Sequence, residues 1–385
     1  MHCDTMTAVR KFNWHASGAG DWGHHVAALS TLAILLAGVA GNAMSAAPEL
    51  PARQQSLPAM LRGDRPPRKV LVGTVVSGYG VLSRPLQQRL QKMDDIVEAI
   101  ATQAKKSFPA KRLDLVVLPE FFLARPGDSL AQKTVQLEEV QPRIASCAQR
   151  HGCYLIVPLL LREPDAPLRY SNAAVLVDRA GRLVGIYRKV HPVAPQGSDV
   201  LEDGTMPGRE FPVFNCDFGR VGIEICFDML YADGWQALAD QGAEIVALPS
   251  ASPETVRPSM YALQHQYYIV SATPRDHSAV YSPLGIIEAQ ATKDDAVLVH
   301  EIDLSFAILH WEAPLEEGEA LSRKFGDKVG YHYYRSEDMG IFWSNDPAMP
   351  IGQMIGSLGL TESDPNVERI RLLQEKARGG PPVMP

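Results

Sequence analysis

Basic charge is what this sequence lacks first. Lys and Arg number 37 against 44 Asp and Glu, giving a formal net charge of −7 at pH 7. No basic run offsets that balance, so nucleic acid is not an expected partner. Cysteine is scarce too, with five in 385 residues, too few for a disulfide scaffold. No His, Cys or Asp pair stands at a metal-ligand spacing such as HExxH or CxxC, so no metal is expected. Ser77-Gly78-Tyr79-Gly80 lacks the third glycine and the strand–helix setting of a dinucleotide loop, and no cofactor is indicated. Internal repeats and low-complexity tracts are absent.

One long run lacks charge altogether. Val26 to Pro48 carries none, and Arg10 and Lys11 precede it. Small residues follow the apolar stretch, with a cut after Ser45 favoured because a cut after Ala47 would leave Pro48 first. Residues 1–45 are therefore expected to be a secretory signal peptide and the protein exported, periplasmic or secreted. The alternative is an uncleaved membrane anchor, since the run is near spanning length. No cysteine follows the run, which excludes a lipoprotein anchor. Residues 46–68, rich in Pro, Arg and Gln, read as a linker. In an oxidising compartment Cys147 and Cys153 are the candidate pair for a disulfide, the first near a helix end and the second at the next strand's start.

What is present is an ordinary globular core, 46% hydrophobic and 21% charged. Val70–Val76, Leu113–Leu118 and Tyr154–Leu161 read as buried strands. Helical spacing runs over 86–106 and 130–150, with Leu90, Met93, Ile96, Val97 and Ile100 on one stripe of the first. Ala173–Val177 and Leu183–Tyr187 flank Asp178-Arg179-Ala180-Gly181, a hairpin turn. Further strands are expected at 268–271, 286–287 and 297–302, with a helix at 260–266. This alternation implies an α/β fold with helices on a mixed sheet. Beyond Trp311 no period persists, and residues 311–385 read as an arm lying on the body or on a partner subunit.

The centre of the chain is Arg220 to Ser252. Val221–Ile225 is a buried strand, Asp228–Gln241 a helix stopped by Gly242, and Glu244–Leu248 a second strand, which together make a βαβ unit. Cys226 sits where the first strand hands over to the helix. Helix N–H groups there are expected to lower its pKa from about 8.5 and so activate it as a nucleophile. Two other strand ends carry chemistry, Glu120 and Lys189. Either one alone is ordinarily a solvated or ion-paired side chain. Together with Cys226 they supply a base, a cation and a thiol, the set that acyl transfer from an amide requires.

Three blocks carry a resemblance: LPEFF, YRKVHP and GIEICFDMLYADGWQALADQGAEIVALPS. In order and separation they resemble the nitrilase superfamily, the carbon–nitrogen hydrolases, over about Val70 to Ile302. The resemblance implies an α-β-β-α sandwich over residues 69–310, pairing into dimers through its sheet-flanking helices. It also implies Glu120 as general base, Lys189 as cationic stabiliser and Cys226 as nucleophile, with the Phe227 N–H completing an oxyanion site. Glu202, before the Pro-Gly turn, matches a second glutamate that positions substrate and water. Phe227-Asp228 after the nucleophile points to an amide or N-carbamoyl substrate rather than a nitrile. A thioester-forming N-acyltransferase, a nitrilase and a non-catalytic binding protein are the alternatives.

Other residues have weaker claims. Tyr79, Phe122, Tyr231 and Ser250–Ser252 are candidate pocket walls. Glu224 shares a strand face with Cys226 by alternation, and either reaches the site or is paired beneath a helix. Where relatives read Glu-Asn this chain has Gln264 and His265. His191 and His265 are expected to be structural.

Overall fold

A computed structural model describes residues 62–78, 84–164, 166, 169–293 and 296–379. The expected leader, most of the linker and Tyr79 lie outside these residues.

In chain order the strands are β1 (Lys69–Val75), β2 (Leu115–Val117), β3 (Tyr154–Arg162), β4 (Tyr170–Val177), β5 (Leu183–Arg188), β6 (Phe214–Asn215), β7 (Arg220–Ile223), β8 (Ile245–Pro249), β9 (Tyr268–Ala272), β10 (Ser278–Tyr281), β11 (Ile287–Ala291), β12 (Val297–Asp303), β13 (Phe306–His310), β14 (Val329–Tyr334) and β15 (Met339–Ser344). The helices are α1 (Leu86–Ser107), α2 (Leu130–Lys133), α3 (Leu137–His151), α4 (Ala232–Asp240), α5 (Val256–His265), α6 (Glu319–Phe325), α7 (Ile351–Gly356) and α8 (Ser363–Arg378).

Two six-stranded sheets form the body, in the orders β12-β1-β2-β3-β4-β5 and β11-β10-β9-β8-β7-β6. Period-2 alternation sends every second residue of each sheet inward. Val70, Val72, Leu115, Ile156 and Tyr187 thus share one core with Ile223, Ile245, Ala247 and Val270 of the facing sheet. The opposite face of the first sheet packs on the apolar stripe of α1 and on α3. The second sheet's outer face is covered by Trp235 of α4 and Tyr261 of α5, whose rings stack at 4.5 Å. The layers are α-β-β-α, as the resemblance implies, and β7 pairs β8 in parallel across α4.

Local differences have physical causes. The helix read over 130–150 breaks into α2 and α3 around Thr134–Gln136, where Val135 instead bridges Leu161 at a strand edge. The helix expected from Asp228 is preceded by a 3₁₀ turn, Cys226–Leu230, and α4 starts only at Ala232. Gly242, in the left-handed region at φ 74°, ends it as expected. Cys147 and Cys153 are both free and buried, so the candidate disulfide is absent.

Residues beyond Trp311, read as an arm, carry regular structure of their own. Strands β13-β15-β14 make a third sheet. Phe306, Ile308 and Ile341 join the core between the large sheets, while Ala307, Leu309 and Phe342 face a separate core with Leu321 and Met354. In β13 and β15, burial on both faces removes the polar alternation that would have announced them.

Candidate active site

Three turns bring the chemistry-bearing residues together at strand ends. Each places a non-glycine residue in the left-handed region: Phe121 after Glu120 (φ 58°), Glu202 and Asp203 (φ 35° and 59°), and Cys226 itself (φ 48°). Such backbone is strained and tends to gather at functional sites. The Glu120 turn is held by Arg89, wholly buried on α1, which donates to the Phe121 and Ala124 carbonyls. Burial lowers the Arg89 pKa to about 10.

Glu120 Oε1 accepts from Lys189 Nζ at 3.0 Å, and both side chains are 1% exposed. Its Oε2 accepts from the Ala251 backbone N–H at 2.9 Å. Lys189 also donates to Glu202 Oε1, which takes a second bond from the Val193 N–H at 3.1 Å. Asn172 bridges the two carboxylates, its Nδ2 lying 2.7 Å from Glu120 and 3.1 Å from Glu202. Burial alone would lower the Lys189 pKa, but Glu120, Cys226 and Glu202 outweigh it and raise the value. The ammonium is therefore kept.

Cys226 faces this cluster. Burial, then the field of Glu120, pushes its pKa up to about 12, against the opposing pull of Lys189, Ser250 and Ala251. This overturns the expected activation by a helix terminus. The cysteine opens a five-residue 3₁₀ turn rather than an α-helix, and desolvation in that buried position wins. The resting group is a thiol, and to serve as a nucleophile it would need a base to take its proton.

The structure thus gathers Glu120, Lys189, Glu202 and Cys226, with Phe227 next in the turn. Ser250 and Ala251, among the candidate walls, do reach Cys226. Phe122 instead belongs to the helix-side core. Tyr231 is surface-lying, stacked on His191 at 4.0 Å. Glu224 does not reach the cluster; it is fully buried, with an oxygen against Gly234 of α4. His265 packs between Tyr261 and Tyr267, a structural role. Sequence reading missed Asn172 and Arg89. The available signals were a polar residue opening the apolar β4 run and an arginine inside the buried stripe of α1.

On the other face of the same strands lies a cavity of about 680 Å³, lined in part by Glu163, Ser171, Arg188 and Met206. It includes none of Glu120, Lys189 or Cys226. Among the described residues no group of three His, Cys, Asp or Glu could hold a metal ion.

The family profile described as carbon-nitrogen hydrolase matches residues 81–308. An omega-amidase of Xenopus laevis is 29% identical over 228 residues, covering 52% of this chain and 80% of that protein. The human omega-amidase is 31% identical over 207 residues, covering 48% and 70%. Among solved structures, an amidase from Nesterenkonia sp. superposes with a TM-score of 0.51 at 22% identity, covering 62% of this chain and 91% of that one. Nit3 of Saccharomyces cerevisiae, from branch 10 of the nitrilase superfamily, gives 0.51 at 22% identity, covering 67% and 95%. With the profile spanning more than half of its length, this chain belongs to the carbon–nitrogen hydrolases, in the amidase-like branch of the nitrilase superfamily.

Proposed function

We propose that the protein hydrolyses the C–N bond of a small carboxamide through a thioester on Cys226. The observation that carries this reading is the meeting of Glu120, Lys189 and Cys226, distant in sequence, in one buried cluster. Glu120 takes the thiol proton as sulfur adds to the carbonyl carbon. The oxyanion is held by the Lys189 ammonium and the Phe227 N–H. Collapse breaks the C–N bond while Glu120 returns the proton to nitrogen, and ammonia or an amine leaves. Glu120 then deprotonates a water that attacks the thioester; the acid departs and the thiol is restored. Glu202, paired to Lys189, fixes the ammonium and helps to place substrate and water. An N-carbamoyl compound presents the same carbonyl, and Phe227-Asp228 favours either over a nitrile.

The test is mass spectrometry of the protein incubated with panels of amides, N-carbamoyl amino acids and nitriles. An acyl adduct on Cys226 with ammonia release is the expected outcome; turnover that survives in Cys226→Ala sinks the reading.

We also propose that the protein pairs with a second copy and is exported. Val256, Met260 and Leu263 form an exposed apolar stripe on α5, 79%, 47% and 48% accessible, which suits pairing with a second copy. Light scattering of Met260→Glu tests this, with monomer expected. Export by residues 1–45 is checked by the N-terminal sequence of the mature protein.

A further inference from the structure

Asp228 lies two residues beyond Cys226 and is 1% exposed. Its Oδ1 accepts from the His191 backbone N–H at 2.8 Å and lies 3.1 Å from His191 Nδ1. Its Oδ2 accepts from the Ile225 N–H at 2.9 Å and the Tyr187 hydroxyl at 2.8 Å. Tyr187 and His191 stand two residues before and after Lys189, and Ile225 directly precedes Cys226. One carboxyl group therefore spans the segment that carries the ammonium and the turn that carries the sulfur.

Beneath it sits Glu224, 0% exposed and hydrogen-bonded to Asp228, with the Tyr187 hydroxyl 3.4 Å from its Oε2. Its Oε1 is buried with no hydrogen-bond partner among the described residues. That oxygen lies 2.1 Å from where a Cβ on Gly234 would stand, so only glycine on α4 leaves room for it.

We propose that Glu224 and Asp228 form a carboxyl pair that positions Lys189 against Cys226, Glu224 donating its proton to Asp228 and touching no substrate. This rests on Cys226 being the nucleophile. Asp228 is already committed as acceptor to three donors, the His191 and Ile225 N–H groups and the Tyr187 hydroxyl, so Glu224 is the partner with a hydrogen to give between the two carboxyls. An orphaned oxygen in a dry pocket is tolerable on a neutral acid and very costly on a carboxylate. The surroundings agree in direction. Burial, then Asp228, raises the Glu224 pKa far above the usual glutamate range. The groups facing it are Tyr187, Asp228, Asp233 of α4, Tyr261 of α5 and Tyr267, none of them a cation. Asp228 in turn raises the His191 pKa.

The unfolded chain releases the Glu224 proton in the ordinary carboxylate range while the folded protein keeps it. The folded state then binds more protons, and stability falls as pH rises from that range until the folded acid itself ionises. A neutral glutamine removes this loss and still donates an N–H to Asp228.

The experiment compares full-length Glu224→Gln, Glu224→Ala and Asp228→Asn for kcat and KM, for melting temperature against pH, and for iodoacetamide labelling of Cys226. Glu224→Gln is expected to lose less than about threefold in kcat and to melt with a flatter pH dependence. Glu224→Ala and Asp228→Asn are expected to lose about 10²-fold in kcat with KM little changed, as for a misplaced reacting group. Labelling of Cys226 should slow in the same two variants. A Glu224→Gln variant as damaged as Glu224→Ala, or one that melts with the parental pH slope, overturns the proposal. Should the parent cleave no amide, the hydrolase reading fails, while the labelling rates and melting slopes still decide this one.

Discussion

Cys226 and Cys153 make an instructive pair. Burial pushes both thiols up to about 12, so in resting acidity they are alike. Their neighbours differ. Cys153 lies in the helix-side core, and the Arg179 and Asp114 charges that act on it are paired with each other. Cys226 shares its pocket with the Lys189 ammonium and the Glu120 carboxyl group. In the mechanism we propose, reactivity resides in a base and a cation placed to act as the bond forms, not in a pre-formed thiolate.

The sharpest way to break this contrast is to exchange the two cysteines for alanine. Cys226→Ala is expected to lower kcat by about 10⁶-fold, the scale seen when a nucleophile is removed. Cys153→Ala should leave kcat intact and cost about 1–2 kcal/mol of stability, read by urea denaturation, as a small core truncation does. Next in size is the cation. Lys189→Met keeps the volume but leaves Glu120 and Glu202 facing each other without it, and kcat should fall about 10²–10³-fold, measured by ammonia release. Smallest among the site variants is Asn172→Ala. Its loss removes one donor shared by two carboxylates, and about tenfold in kcat is expected, in line with one charge-assisted hydrogen bond. If Asn172→Ala matched Lys189→Met in effect, the amide rather than the ammonium would hold the cluster together.

The strand ends at Glu120, Lys189 and Cys226 could be read because each closes a short apolar run with a residue foreign to it. The sandwich core could be read for the same reason, from β1, β3 and the stripe on α1. The third sheet could not. Ile341 and Phe342 are adjacent and both buried, one in each of two cores, so no alternation marks β15. Asn172 was hidden for a different cause: its partners lie 52 and 30 residues away, and nothing local asks for an amide at that point. Arg89 was hidden likewise, since an arginine in a helix ordinarily snorkels to water rather than capping a distant turn.

Sequence alone determined the family, the order of the three chemical groups and the elements that bear them, because these follow from local periodicity and from residues at strand ends. Tertiary structure decided the ionisation of Cys226, reversing the local expectation, since desolvation depends on what the whole chain packs around the sulfur. It also decided that Glu224 lies beneath α4 rather than in the site, because the space for its oxygen is set by a glycine ten residues further along the chain.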